Sequence, residues 1–434
     1  MKNRINRLIF IYYIVLLIIL SLKTSVGAEP PMILRLVYIG AVILPCVLTK
    51  KVSYPAVITL FLTIGHYGFA YSYMPYMTYI YGMLTLLMTI FVLYRYQGSK
   101  GHIPIFLTVF TCYIFIIDLV TGIGVTKSRF PEDVDWCFFM LLCFFYFAAN
   151  KYKVTFNQLG ISFIAITLVL SIYFLVYKND FAQVYNEESG LERSGWADPN
   201  YFSMVIGMGV LVGVNKILSQ GWKTLKLLEK LPYTMAVIIA CPTLLLNASR
   251  GAILSVVVAL IVMLYYSKVK FTYKVFVTIL ASAGIAWLYQ NQYFELLEFR
   301  IQNDDGSGSN RTIIWEQKLD LFVQGNPLQW FLGHGYAGGF YISGRAVGFH
   351  NDFLAFLVDY GVIGLGFFLY MLFYPIKILN RNSENRPLVI VVVTYLLCCC
   401  ITLEPFTHAL MMFFAFYFYA LIAARLDSQA IYKS

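Results

Sequence analysis

Apolar residues run through this chain in blocks of 16 to 25, broken by short polar stretches rich in lysine, arginine and glycine. An α-helix rises about 1.5 Å per residue, so some 20 apolar residues span the hydrocarbon of a bilayer. The blocks predict fourteen helices, over 8–22, 32–49, 54–72, 76–94, 103–124, 135–149, 156–177, 198–218, 232–247, 251–267, 273–290, 350–376, 387–403 and 407–424. An ionised side chain near the centre of such a helix costs about 2.5–3.5 kcal/mol on insertion scales, so the boundaries leave charges near the ends. The pattern predicts an all-α integral membrane protein, read as one polytopic membrane domain over 1–434.

Composition agrees. Of 434 residues, 60% are hydrophobic and 12% charged, more apolar surface than a soluble chain of this length buries. The first apolar block follows Lys2, Arg4 and Arg7 and lacks a clear cleavage site, so it reads as a signal anchor. Eight cysteines show no spacing for a disulfide frame or a zinc site.

Charge orients the helices. With the amino terminus in the cytoplasm, the cytoplasmic stretches carry 21 of the 32 lysines and arginines. They hold only Glu229, Glu384 and Asp427 of the 22 acids. The net charge of +10 is therefore the positive-inside bias of a membrane protein and carries no signal for nucleic acid. Both termini are expected in the cytoplasm.

One outer connection is much longer than the others, over 291–349. Its "NDDGSGSN" opens a flexible stretch, and "RTIIWEQKLDLFVQ" after it has the spacing of a short amphipathic helix lying at the membrane surface.

On this topology, polar chemistry collects at the outer boundary. "LERSGWADPNYF" supplies Arg193, Asp198 and Asn200; the tight "NASRG" turn supplies Ser249 and Arg250. The long loop adds Arg311, His334 and Arg345. His350 and Asn351 open the helix over 350–376, and Glu404 and His408 flank the last outer turn. Plainer roles exist for most of them. Arg250 suits a lipid headgroup, Arg311 decorates a helix, Asn351 is a good N-cap, and Asp352 suits the helix dipole. Histidine is neither a good cap nor a good first-turn residue, which singles out His350. A "DVD" at 133–135 is too short to imply a metal site, and no metal is expected.

The segments "NRTIIWEQKLDLF", "NPLQWFLGHGY" and "HNDFLAFLVDYGVIGLGFFLYML" resemble the signature region of the O-antigen polymerase and ligase superfamily. The matching positions are Arg311 with Trp315, Pro327 with Gly333 and Gly335, His350 with Asn351, and Gly361 with Gly364. Upstream, "RSGWADPNYFS" and "NASRGAIL" are similar to two further landmarks. The resemblance covers about 190–370. It implies a GT-C-like glycosyltransferase of the bacterial inner membrane that uses no cofactor. Such enzymes take glycan from an undecaprenyl diphosphate carrier at the outer face, alongside a flippase and a chain-length regulator.

Elementary chemistry suits that implication. A diphosphate leaving group needs fixed positive charge and no proton, and guanidinium forks match its oxygens. The acceptor hydroxyl must lose a proton, which an imidazole can take near neutrality. The expected catalytic set is His350, Arg250, Arg311 and Glu404, the last a reserve base. Arg193, Asp198, Asn200, Ser249, Arg345 and Asn351 are expected to bind substrate. The expected activity is metal-independent repeat-unit polymerisation, as for O-antigen or capsule; ligation to lipid A-core is the nearest rival. A lipid-linked oligosaccharide flippase is the rival of another class, but it needs charged groups through the midplane, where this chain is nearly devoid of them.

Overall fold

The computed structural model describes residues 105–117, 120, 156–177, 182–186, 191–194, 199–302, 311–335, 338, 349–379, 384–406 and 410–430. The expected helices over 8–22, 32–49, 54–72, 76–94 and 135–149 lie outside these residues, as do Asp198, Arg345 and His408.

The described elements, in chain order, are α1 (Ile105–Ile117), α2 (Phe156–Tyr177), β1 (Ala182–Asn186), β2 (Leu191–Ser194), α3 (Pro199–Ile217), α4 (Leu227–Asn247), α5 (Arg250–Tyr266) and α6 (Phe271–Gln290). They continue with α7 (Glu295–Gln302), α8 (Arg311–Val323), α9 (Pro327–Leu332), α10 (Asp352–Ile378), α11 (Arg386–Thr402) and α12 (Leu410–Ala430). α3, α4, α6 and α10 are long and apolar enough to cross a membrane. α6 carries Phe276, Ile279, Leu280 and Ile285 exposed, and Leu288 is its buried residue. Water makes such a surface costly; lipid does not. The chain is a helical membrane protein.

Two features depart from an all-helical reading with one open loop. β1 and β2 pair antiparallel, Gln183 opposite Arg193, so "LERS" is a strand ahead of α3. The long connection is also built: α7, α8 and α9 all lie within 291–349. The sequence hid α7 and α9 because both are short.

The described residues fall into two compact units. The first contains α2 to α7 and residues 390–395. α3 is its centre, buried from Tyr201 to Gly213 and packed on α2, α4 and α5. Gly209 permits this closeness, because a Cβ there would stand 1.7 Å from Thr167 Oγ1. Tyr395 crosses to the same helix and donates its hydroxyl to the Met204 carbonyl at 2.7 Å. Leu296 and Leu297 of α7 pack with Leu245, Ala248 and Leu288, which fixes α7 beside the turn between α4 and α5.

The second unit is organised around α10, against which α1, α8, α9 and α12 pack. Phe356 stacks on Phe368 at 4.3 Å between ring centroids and meets Phe406 edge-on at 4.7 Å. α10 is kinked at Gly361, whose φ of 65° and ψ of −172° break the helical path. The break opens backbone carbonyls to other partners. Tyr113 of α1 donates its hydroxyl to the Tyr360 carbonyl at 2.7 Å, and the N–H of Gly335 reaches the Asp359 carbonyl at 2.7 Å.

Candidate active site

The turn into α10 concentrates the chemistry of the second unit. Asn351 caps the helix, its side-chain oxygen accepting the Leu354 N–H at 3.1 Å, as its residue type favours. Asp352 in the first turn accepts the Phe406 N–H at 2.8 Å and lies beside the Cys400 thiol. Between the cap and the preceding loop stands His350, with a left-handed φ of 50°. Such a backbone is uncommon for a side-chain-bearing residue and persists where surrounding contacts impose it.

Those contacts come from two directions. The His350 N–H donates to Glu404 Oε1 at 2.6 Å, and the Phe349 backbone also hydrogen-bonds that carboxylate. From α8, Trp315 donates its indole N–H to the Phe349 carbonyl at 2.7 Å. The turn before α10 is thus pinned by a carboxylate from the α11–α12 connection and an indole from α8.

α8 turns one face to this turn. Ile314 and Lys318 are buried, while Thr312, Ile313, Glu316, Leu319 and Asp320 are exposed. The helix expected from the amphipathic spacing packs on α10, with Leu321 and Phe322 against Phe349, Ala355 and Val358. Lys318 is only 1% exposed. Its ammonium lies 5.1 Å from the centre of the Phe349 ring. Burial pulls its pKa below the ordinary lysine value, and the charges of Asp359 and Glu404 oppose that shift.

Glu404 is 5% exposed. Burial pushes its pKa up to about 7, against the lowering effects of the His350 and Phe349 bonds and the charges of Lys318 and Arg311. Arg311, Lys318, Asp359 and Glu404 therefore form one electrostatic group beside His350. Sequence reasoning missed Lys318 and Asp359. Lys318 lies seven residues after Arg311 and three after Trp315, a single helical face. Asp359 is an acid well inside a membrane-length apolar run, which itself implies a partner.

The loop after α9 lies against the kink of α10. Asn326 and Gln329 form a reciprocal cap at its start, with Pro327 at the first helical position. Gly333 ends it at a φ of 81°, and a Cβ there would stand 2.2 Å from the Asp359 carbonyl oxygen. The glycine is thus required by a crossing of two backbones. His334 follows, its N–H donating to the Val358 carbonyl at 3.0 Å. Its ring is buried, which lowers its pKa.

The first unit holds the other candidates. Ala248 closes α4 in a left-handed conformation, φ 49°, and α5 starts two residues later. Ser249 is fully buried and donates its hydroxyl to Asn200 Oδ1 at 2.9 Å. Asn247 donates to the Pro199 carbonyl at 2.6 Å and to Ser203 Oγ at 2.7 Å. Together they tie the start of α3 to the α4–α5 turn. Arg250 donates to the Arg300 carbonyl on α7 at 3.0 Å, and Arg300 in turn donates to the Ala248 carbonyl. Arg193 lies on β2. Among the described residues, no three His, Cys, Asp or Glu side chains gather in a way that could hold a metal ion.

Arg311, Lys318, Glu404 and His350 thus lie together at the mouth of the apolar α10. Residues 235–369 match the model of the O-antigen ligase family, which supports the resemblance to the O-antigen polymerase and ligase superfamily. The match contains Arg250, Arg311, Arg345 and His350; Arg193, Asp198 and Asn200 precede it, and Glu404 follows it. No curated protein matches the chain.

Proposed function

We propose that the protein is a polymerase of surface-polysaccharide repeat units at the outer face of the bacterial inner membrane. The donor is a glycan on undecaprenyl diphosphate and the acceptor is a sugar hydroxyl of another lipid-linked repeat unit. The hydroxyl oxygen bonds to the donor's anomeric carbon. The bond from that carbon to the diphosphate breaks, and undecaprenyl diphosphate departs with the electron pair. His350 takes the hydroxyl proton. Arg311 and Arg250 stabilise the negative charge that builds on the diphosphate, with Arg193 and Arg345 assisting. Asp198 and Asn200 orient sugar or guanidinium groups, and no metal ion takes part.

The reading rests on the His350 turn: an imidazole-bearing residue in a left-handed conformation, gripped by Glu404 and Trp315, with Arg311 on the adjoining helix. A rigid mount keeps a base aimed at one proton.

Purified protein in liposomes, supplied with defined undecaprenyl-diphosphate-linked repeat units with and without chelator, tests it. Elongation without translocation of the supplied lipid, persisting in chelator, is expected. Translocation without elongation points to a transporter, and elongation lost in chelator defeats metal independence.

The name of the matched family favours a second reading, ligation of finished glycan to lipid A-core or another acceptor. A deletion strain separates the two. Loss of a polymerase leaves single repeat units on the acceptor; loss of a ligase leaves long chains on the carrier.

A further inference from the structure

An ammonium group withdrawn from water is costly unless other groups compensate for the lost hydration. Lys318 is such a group, and its neighbours are specific. It lies on the α8 face that also bears Arg311 and Trp315. Its head sits over the ring of Phe349, the residue whose carbonyl Trp315 holds. Its charge acts on Asp359 of α10 and on Glu404. Glu404 in turn accepts the N–H groups that set the backbone of Phe349 and His350.

We propose that Lys318 is a positioning residue for the transfer reaction: its buried ammonium, seated over the Phe349 ring, helps hold the Glu404 carboxylate against the Phe349 and His350 N–H groups, and Glu404 thereby holds the His350 turn in its left-handed form. Lys318 touches no reacting atom in this scheme and acts through Glu404. A carboxylate accepts two backbone N–H groups well, whereas a protonated carboxyl has one oxygen that donates instead. The cations whose charge acts on Glu404 are Lys318 and Arg311, both from α8, and Asp359 of α10 acts on the same Lys318 ammonium. Lys318 is the buried one of the two cations, so its removal leaves Glu404 with Arg311 as the remaining counter-charge. Asp359 tunes the device in the opposite sense, since it competes with Glu404 for the same ammonium. The inference rests on the transferase reading for its kinetic consequence, while the electrostatic link stands without it.

Two variants with opposite expected effects test the proposal. The protonation of Glu404 is followed by carboxyl infrared absorption in the purified full chain, assigned by its loss in Glu404→Gln. In Lys318→Met the Glu404 titration moves upward by about half a pH unit or more, and the acid limb of the transfer rate moves up with it. Lys318→Arg keeps both near wild type. In Asp359→Asn the titration moves down. Unchanged titration in both variants, shifts of the same sign, or a rate that falls equally at every pH with its acid limb unmoved overturns the proposal. If Lys318→Met fails to fold, Asp359→Asn carries the test alone through its downward shift. Wild-type protein that transfers no glycan while the infrared shifts appear as expected defeats the transferase reading and leaves the Lys318–Glu404 link standing.

Discussion

Glu404 and the backbone N–H of His350, 54 residues apart in the chain, meet at 2.6 Å. The bond joins the connection between α11 and α12 to the mouth of α10. It also sets the backbone from which the imidazole projects, because the donor is the His350 amide itself. Mutations of His350 and of Glu404 therefore differ in kind. In the proposed reaction the first removes the base and the second loosens its mount.

His350→Ala is expected to abolish glycan transfer with normal protein levels, and so is Arg250→Ala. The readout is the glycan ladder on a gel beside an immunoblot of membranes. Wild-type ladders from both variants would defeat the assignment.

Glu404 gives stability a pH signature. Its folded pKa is raised from 4.5 to about 7, so between these values the folded state binds more protons than the unfolded. Its contribution is full below about 4.5 and is lost as pH rises through about 7. Comparison of wild type with Glu404→Gln in detergent, by denaturation from pH 4 to 8, isolates the group. The stability of wild type relative to the variant is expected to fall across that window.

Ser249 and Asn200 hydrogen-bond to each other at 2.9 Å. Ser249→Ala and Asn200→Ala are each expected to cost about 1 kcal/mol of stability. The double variant costs clearly less than the two single losses combined, since both remove one bond. Additive losses mean that the bond contributes nothing.

Gly333→Ala places a Cβ against the Asp359 carbonyl at a φ of 81°. Left-handed strain alone is roughly 1–2 kcal/mol, and the clash adds to it. The melting temperature in detergent is expected to fall sharply, whereas Gly221→Ala, with open space around its Cβ position, leaves it nearly unchanged.

Trp315→Phe keeps the ring and removes the donor to Phe349. A loss of about 1 kcal/mol is expected, with a drop in transfer rate larger than any change in donor KM, because the His350 turn loses one of its two anchors. An unchanged rate means that the turn is set without the indole.

Much of this protein was legible from one dimension. α2 coincides with its expected bounds, and α3, α5, α6, α10 and α11 lie within a few residues of theirs. Apolar run length depends on the thickness of the bilayer and needs no tertiary information. The amphipathic spacing of 311–324 located α8, and residue types alone gave Asn351 its cap. The motif order over about 190–370 pointed to the superfamily, and the matched segment, 235–369, lies within that stretch.

Contacts between distant segments were not legible. Nothing around position 318 separates a buried lysine from a solvated one, because its neighbours in sequence are Gln317 and Leu319, and its partners are Phe349, Asp359 and Glu404. The kink of α10 at Gly361 became explicable only with the α9 loop against it. Local pattern determined which stretches are helical and apolar, since hydropathy and helical period act between near neighbours. Tertiary structure decided which ionisable groups lose their water and face one another, and the chemistry of a charge is set by whatever packs against it.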